Sequence, residues 1–240
     1  MRLDKFLAHM GFGTRKEVKS LIKSKAIQVN GVTIKDSAMQ VNELEDSVSV
    51  YGETVEYKQY IYLMMNKPAG VVSATEDTRD RTVIDLLEDE DRHFAPYPVG
   101  RLDKDTVGLL LLTNDGDLTH RLLSPKKDVP KVYYAKVQGR VTEEDIQAFE
   151  EGVTLDDGYH TKPGYLKILL RGNVSEIELT ITEGKFHQVK RMFEAVGKKV
   201  IFLKRISMGD LTLDETLQEG EYRELTEEEL HLLEQKKDQA

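Results

Sequence analysis

The sequence predicts an α+β protein: a small N-terminal α/β module, then a larger domain on a mixed, largely antiparallel β-sheet with flanking helices. Three observations carry that expectation. Helix-period and strand-period segments follow one another irregularly, without the strict strand–helix–strand order of a parallel sheet. Asn30-Gly31 lies between two short alternating runs, the strongest local hairpin signal. Residues 109–113 form an apolar run that stops at the turn residues Asn114-Asp115-Gly116, as a buried strand would.

In chain order, Leu3, Phe6, Leu7 and Met10 sit at helical spacing until Gly11 and Gly13 break the pattern. Thr14-Arg15-Lys16-Glu17 has the form of a capping box and opens a second helix. That helix has Val18, Leu21 and Ile22 on one face and Lys16, Lys19 and Lys23 on the others. Ile27 and Val29 alternate with polar residues before the Asn-Gly turn, and Val32 and Ile34 do so after it. Residues 1–57 thus read as one module, whose core is marginal for independent stability and which is expected to be tethered. Residues 58–61 read as a polar link. Residues 62–229 read as the larger domain, its sheet opening at 60–65, with further strands at 109–113, 133–137, 166–170 and 177–181. Helical patterns fit 82–91, 117–123, 142–150 and 187–196. A capped helix is expected from Thr226, and residues 230–240 read as a polar, fraying tail.

Composition narrows the chemistry. The 240 residues contain no cysteine, which removes disulfides, thiolate metal sites and cysteine nucleophiles. No apolar run approaches a membrane span, and the start lacks a signal-peptide core, so a cytoplasmic protein is expected, with no membrane partner. The net charge of −9 is unevenly spread. Residues 1–35 carry eight Lys/Arg against Asp4 and Glu17, residues 36–57 carry six acids and no base, and residues 185–205 carry seven bases against Glu194. Two concentrated basic segments can grip phosphates locally although the whole chain is acidic. No glycine-rich nucleotide cradle, serine elbow or histidine–carboxylate metal pattern occurs, so no cofactor and no metal are expected. An enzyme with this inventory works through a carboxylate. The candidate is Asp103, in Gly100-Arg101-Leu102-Asp103-Lys104-Asp105-Thr106-Val107-Gly108, a loop between two glycines just before the apolar strand.

Two resemblances sharpen these expectations. Arg2-Leu3-Asp4-Lys5-Phe6-Leu7, Thr14-Arg15 and Val29-Asn30-Gly31 resemble, in order, the small RNA-binding domain of ribosomal protein S-four. The Gly100–Leu109 string resembles the signature of pseudouridine synthases, in the branch that modifies small-subunit rRNA and some large-subunit sites. Met65-Asn66-Lys67-Pro68-Ala69-Gly70, Asn114-Asp115-Gly116, Lys131-Val132-Tyr133 and Glu183-Gly184-Lys185-Phe186-His187-Gln188-Val189-Lys190-Arg191-Met192 match the same family in order. The resemblance implies an rRNA-modifying isomerase of pseudouridine synthase fold that detaches uracil, rotates it and rejoins it through carbon, without cofactor. It implies Asp103 as the catalytic carboxylate, attacking the anomeric carbon or uracil carbon 6 or assisting a glycal route. It implies Tyr133 against the target base, and Lys190 as the basic partner of Asp103, with Arg191 as rival. Arg101 is implied in base extrusion, and Arg2, Lys5, Arg15, Lys16, Lys19, Lys67, Lys185 and Arg191 in RNA contact, with shaping of a loop near the sheet as the equal alternative for Lys67. The 183–192 string is closer to the small-subunit enzyme, implying 16S rRNA, or a small-subunit assembly intermediate, modified by a monomer at the uridine usually numbered 516. A 23S rRNA paralogue and a non-catalytic assembly factor are the alternatives.

Overall fold

The computed structural model describes residues 1–234, which divide into two compact units, 1–61 with 87–96 and 62–86 with 97 onward. The first unit contains α1 (Leu3–His9), α2 (Arg15–Lys23), β1 (Ile27–Val29), β2 (Val32–Thr33), β3 (Val48–Val50), β4 (Glu53–Thr54) and the short α3 (Asp89–Arg92). Leu3, Phe6 and Leu7 of α1 meet Val18 and Ile22 of α2 over the β1 and β3 valines in one core. The expected capping box forms: Thr14 N–H donates to Glu17 Oε2 at 2.7 Å, and Glu17 N–H to Thr14 Oγ1 at 3.4 Å. Asn30 and Gly31 take φ of 51° and 79°, the left-handed pair that a two-residue hairpin demands, and β1 and β2 pair across them. β3 and β4 complete a four-stranded sheet in the order β2-β1-β3-β4.

Residues 58–61 are not a loose link. His9 Nε2 lies 2.8 Å from Lys58 O, and Lys58 N–H donates to Met10 Sδ. The expected helix over 82–91 is divided instead. A 3-10 turn spans Ile84–Leu86, closed by Thr82 N–H on Asp85 Oδ2 at 2.7 Å, and α3 follows with four successive acids, Glu88 to Asp91, at its start. Residues 87–96, read from sequence as part of the larger domain, belong to the first unit because His93 packs against Gly11 and the Phe94 ring meets His9 at 5.6 Å.

The second unit contains β5 (Tyr62–Lys67), β6 (Tyr97–Pro98), β7 (Val107–Thr113), α4 (Gly116–Leu123), β8 (Lys131–Gln138), α5 (Glu143–Glu151), β9 (Tyr165–Leu170), β10 (Val174–Ile181), α6 (Gln188–Ala195), β11 (Lys199–Met208), β12 (Leu211–Thr212), β13 (Tyr222–Glu224) and α7 (Glu227–Glu234). Its main sheet runs β13-β5-β7-β11-β8-β10-β9, with β6 beside β7 and β12 beside β11. Among the described residues, the ladders between these strands are antiparallel except that of β7 with β11. β7 is buried along its whole length, as its unbroken apolar run requires. β11, ten residues long, has no counterpart in the sequence reading, which treated this stretch only as a basic segment. Residues 230–234 of the expected tail belong to α7, and 235–240 lie outside the described residues.

The parallel β7–β11 junction needs Gly108. It has φ +102°, and a Cβ there would lie 2.3 Å from Arg205 O. Gly108→Ala is therefore expected to destabilise the protein by ~3 kcal/mol or more, from backbone strain and overpacking together. Urea denaturation of the full chain checks this; a loss below ~1 kcal/mol would show that the junction relaxes freely.

Candidate active site

Asp103 lies on the loop between β6 and β7, and the chain holds that loop from beneath. Lys67, the last residue of β5, is completely buried. Its ammonium donates to the carbonyls of Pro68 (2.9 Å), Asp103 (3.1 Å), Lys104 (3.4 Å) and Thr106 (2.9 Å). Buried Ser73 adds a reciprocal pair with Leu102, its hydroxyl donating to the carbonyl at 3.0 Å and accepting from the N–H at 3.1 Å. Gly70 N–H donates to Lys104 O, and Lys104 pairs with Asp80 at 2.6 Å. Of its two expected roles, Lys67 thus takes the structural one and not RNA contact, since a fully enclosed ammonium has no face for a phosphate. Burial pushes it down to about 8, opposed by the negative charges of Asp105 and Asp103.

The partner of Asp103 comes from α6. Lys190 Nζ donates to Asp103 Oδ2 at 2.9 Å and to Asp105 Oδ1 at 2.6 Å. Partial burial alone would lower the Lys190 ammonium, but the bonds to Asp105 and Asp103 outweigh it and hold its pKa above the ordinary lysine value. Burial works in the opposite sense on Asp105, and Lys190 still keeps that carboxyl below its usual range. His187 Nε2 stands 3.6 Å from Asp103 Oδ1. The start of α6 is fixed by Gln188, whose side chain accepts from Lys185 N–H at 2.8 Å and donates to Glu183 at 2.7 Å.

A cleft of about 410 Å³ opens over Asp103. Tyr133 of β8 and Leu102, Ile181, Val189 and Leu203 give it apolar walls; Arg101, Lys185 and His187 give it polar ones. Such a site can take a flat, weakly polar ring against Tyr133 while a carboxylate, positioned by an ammonium, faces the atom to be attacked or deprotonated. Thr106 Oγ1, also in the lining, is buried without a hydrogen-bond partner among the described residues.

Asp103, Tyr133, Lys190, Arg101 and Lys185 are therefore brought together. Arg191 is not: its guanidinium is paired with Asp156 at 2.5 Å and Asp157 at 2.7 Å, which removes it both as the partner of Asp103 and as an open RNA contact. Arg2, Lys5, Arg15, Lys16 and Lys19 belong to the first unit, where all five are exposed. Arg2 is already engaged by buried Asp4, with bonds of 3.0 and 2.7 Å, and that contact keeps the Asp4 carboxyl below its ordinary pKa. Sequence reasoning missed Asp105 and His187 as neighbours of Asp103. Asp105, two residues along the same loop, was within reach of the motif; His187 required the α6 geometry.

The family profile described as RNA pseudouridylate synthase matches residues 61–195, and that of the S4 domain matches residues 1–48. The chain belongs to the pseudouridine synthase family. It is 57% identical, over 97% of its length and 98% of the relative's, to the uncharacterized RNA pseudouridine synthase YtzG of Bacillus subtilis. It is 43% identical to ribosomal small subunit pseudouridine synthase A of Vibrio cholerae (96% and 98% covered). It is 40% identical to ribosomal large subunit pseudouridine synthase B of Bacillus subtilis (97% and 94% covered). A crystal structure of a pseudouridylate synthase superposes with a TM-score of 0.68 at 39% identity, covering 97% of this chain and 99% of that one. The α+β expectation and the synthase assignment therefore stand: this is an isomerase with an S4 domain at its N-terminus.

Lys67→Met keeps the length of the side chain and removes its donors. A loss of at least ~2 kcal/mol is expected, with faster amide exchange at 103–106, because bonds from a charged donor contribute about 1.5–3 kcal/mol each. The pH dependence has a definite sign. With a folded pKa of about 8 against an unfolded value near 10.4, the unfolded chain holds the extra proton between these pH values. The stability gap between wild type and Lys67→Met should thus widen as pH rises through that window and stay flat below it. Urea titrations at pH 7, 8 and 9.5 read this out, and a gap that narrows with pH would refute it.

Proposed function

We propose that this synthase converts one uridine of 16S rRNA, the one usually numbered 516, to pseudouridine, acting on the small subunit or its assembly intermediate. The observation that carries the chemistry is the Asp103–Lys190 ion pair in a cleft walled by Tyr133. The reaction breaks the bond from uracil N1 to the sugar and forms one from C5 to the same carbon; C5 gives up its proton and N1 gains one. Atoms and oxidation state balance, so no external reactant is needed. In this reading Asp103 supplies the carboxylate at the sugar, Lys190 pairs with it and fixes its position, and Tyr133 supports the base. Arg101, exposed at the mouth, fills the stack that the extruded uridine leaves. The exposed Lys5, Arg15, Lys16 and Lys19 of the S4 domain hold phosphates of the RNA.

The 16S assignment is supported by the Glu183–Met192 string and by the Vibrio cholerae relative. The similarity to large subunit synthase B favours a second reading, a uridine of 23S rRNA. Mapping pseudouridine in both rRNAs from cells lacking this gene separates them: loss at 516 of 16S rRNA is expected, and loss at a 23S site selects the alternative. Complementation with Asp103→Asn should fail to restore the modification while the purified variant still binds rRNA, since the amide keeps the shape without the charge. Restoration by this variant would remove Asp103 from the chemistry.

Lys190→Met should lower the single-turnover rate roughly 10²-fold, the scale of removing one preorganised electrostatic partner. Arg191→Met, which breaks only the Asp156 and Asp157 pairs, should be mild. The reverse order of severity would exchange the two roles.

A further inference from the structure

The Asp103 cleft continues into a second, wider chamber, and Arg101, Tyr133, Gly184 and Lys185 line both. The second chamber is strongly basic. Arg101, Lys131, Lys162, Lys185 and Arg205 line it, against Glu183 as the carboxylate in the lining among the described residues. Glu183 is already committed, accepting from Tyr159 Oη at 2.6 Å, Lys162 N–H at 2.9 Å and Gln188 Nε2 at 2.7 Å. The Lys162 ammonium pairs with Asp128.

Arg205 supplies the second, independent observation. It is 2% exposed, and its Nε donates to Leu109 O at 2.8 Å. Its Nη2 is buried with no hydrogen-bond partner among the described residues. A buried guanidinium donor without an acceptor is an unmet bond, and beside a chamber lined by cations an anion is the acceptor that fits. Lys131 feels the same crowding: burial first, and then the charge of Arg205, push its ammonium below the ordinary lysine value. Opposite in character, Leu123, Pro125 and Met208 give the chamber an apolar side.

We propose that this chamber is a second nucleotide subsite, which takes the RNA nucleotide next to the target uridine, with its phosphate among Lys131, Lys162 and Arg205 and its base against Leu123, Pro125 and Met208. The identity of the ligand as RNA rests on the synthase reading; the anionic, nucleotide-sized chemistry rests on the lining. Because Tyr133 and Arg101 border both spaces, two consecutive nucleotides occupy them side by side, and recognition of the neighbour becomes part of choosing the uridine.

The full-length protein is titrated calorimetrically with uridine 5′-monophosphate and with the dinucleotide pUpU, as wild type and as Lys131→Gln/Lys162→Gln. The dinucleotide should bind about tenfold or more tightly than the mononucleotide, and this gain should fade with salt with a slope steeper by roughly 0.7 for the added phosphate. The double variant should lose the gain and keep the mononucleotide affinity, which also reports that it is folded. Equal affinity of the two ligands for wild type would overturn the subsite. So would equal weakening of both ligands in the variant, which would mean diffuse electrostatics only. If rRNA mapping finds no pseudouridine due to this protein, the functional reading falls while the binding result stands; a missing dinucleotide gain in an active enzyme removes the subsite alone.

Discussion

The ammonium of Lys67 is enclosed where β5 ends, and the carbonyls of residues 68, 103, 104 and 106 converge on it. A charge taken out of water is tolerated only when hydrogen bonds replace its hydration, and here the backbone of the Asp103 loop does so. The loop cannot drift without stripping acceptors from a buried cation. That coupling converts the eight-residue connection between β6 and β7 into a fixed mount, and the direction of the Asp103 carboxylate follows from it. Ser73 beneath Leu102 and Gly70 against Lys104 bind the same loop to the segment after β5, so one short stretch, 67–73, sets the geometry of the chemistry.

The sheet then brings the partner. Asp103 precedes β7, and Lys190 sits on α6, just before β11. Because β7 and β11 are neighbours and parallel, the segments that lead into them lie at the same end of the sheet. Eighty-seven residues of chain are thereby closed to a 2.9 Å ion pair. Tyr133 joins from β8, the antiparallel neighbour of β11, and stands opposite Arg205 in the register. The cleft and the basic chamber beside it share this strand, which is why Tyr133 borders both.

Charge is arranged by the same packing. In the basic stretch 185–205, Lys190, Arg191 and Lys198 are in ion pairs and Arg205 is buried, while Lys185 lies over the Tyr159 ring at 4.5 Å. Three of the seven bases in this stretch are thus paired in place, and the fold leaves a smaller set of charges open.

Local rules are sufficient for what was legible in the sequence. The Thr14–Glu17 box, the Asn30-Gly31 turn, the apolar β7 and the Asp103 loop are each written in neighbouring residues, and ordered motifs extend them to a family and to three residues that the fold brings together. Tertiary structure alone decided the rest. It withdrew Lys67 from RNA by burying it, chose Lys190 over Arg191 by giving the latter two aspartates, and attached residues 87–96 to the first unit through His93 and Phe94. It also turned the basic run at 199–208 into a central strand, because the pairing partners that make it one lie at 107–108 and 131–138. A side chain's chemistry is a property of its residue, but its burial, its charge partner and its neighbours across a sheet belong to contacts distant in sequence, and these set what each group is free to do.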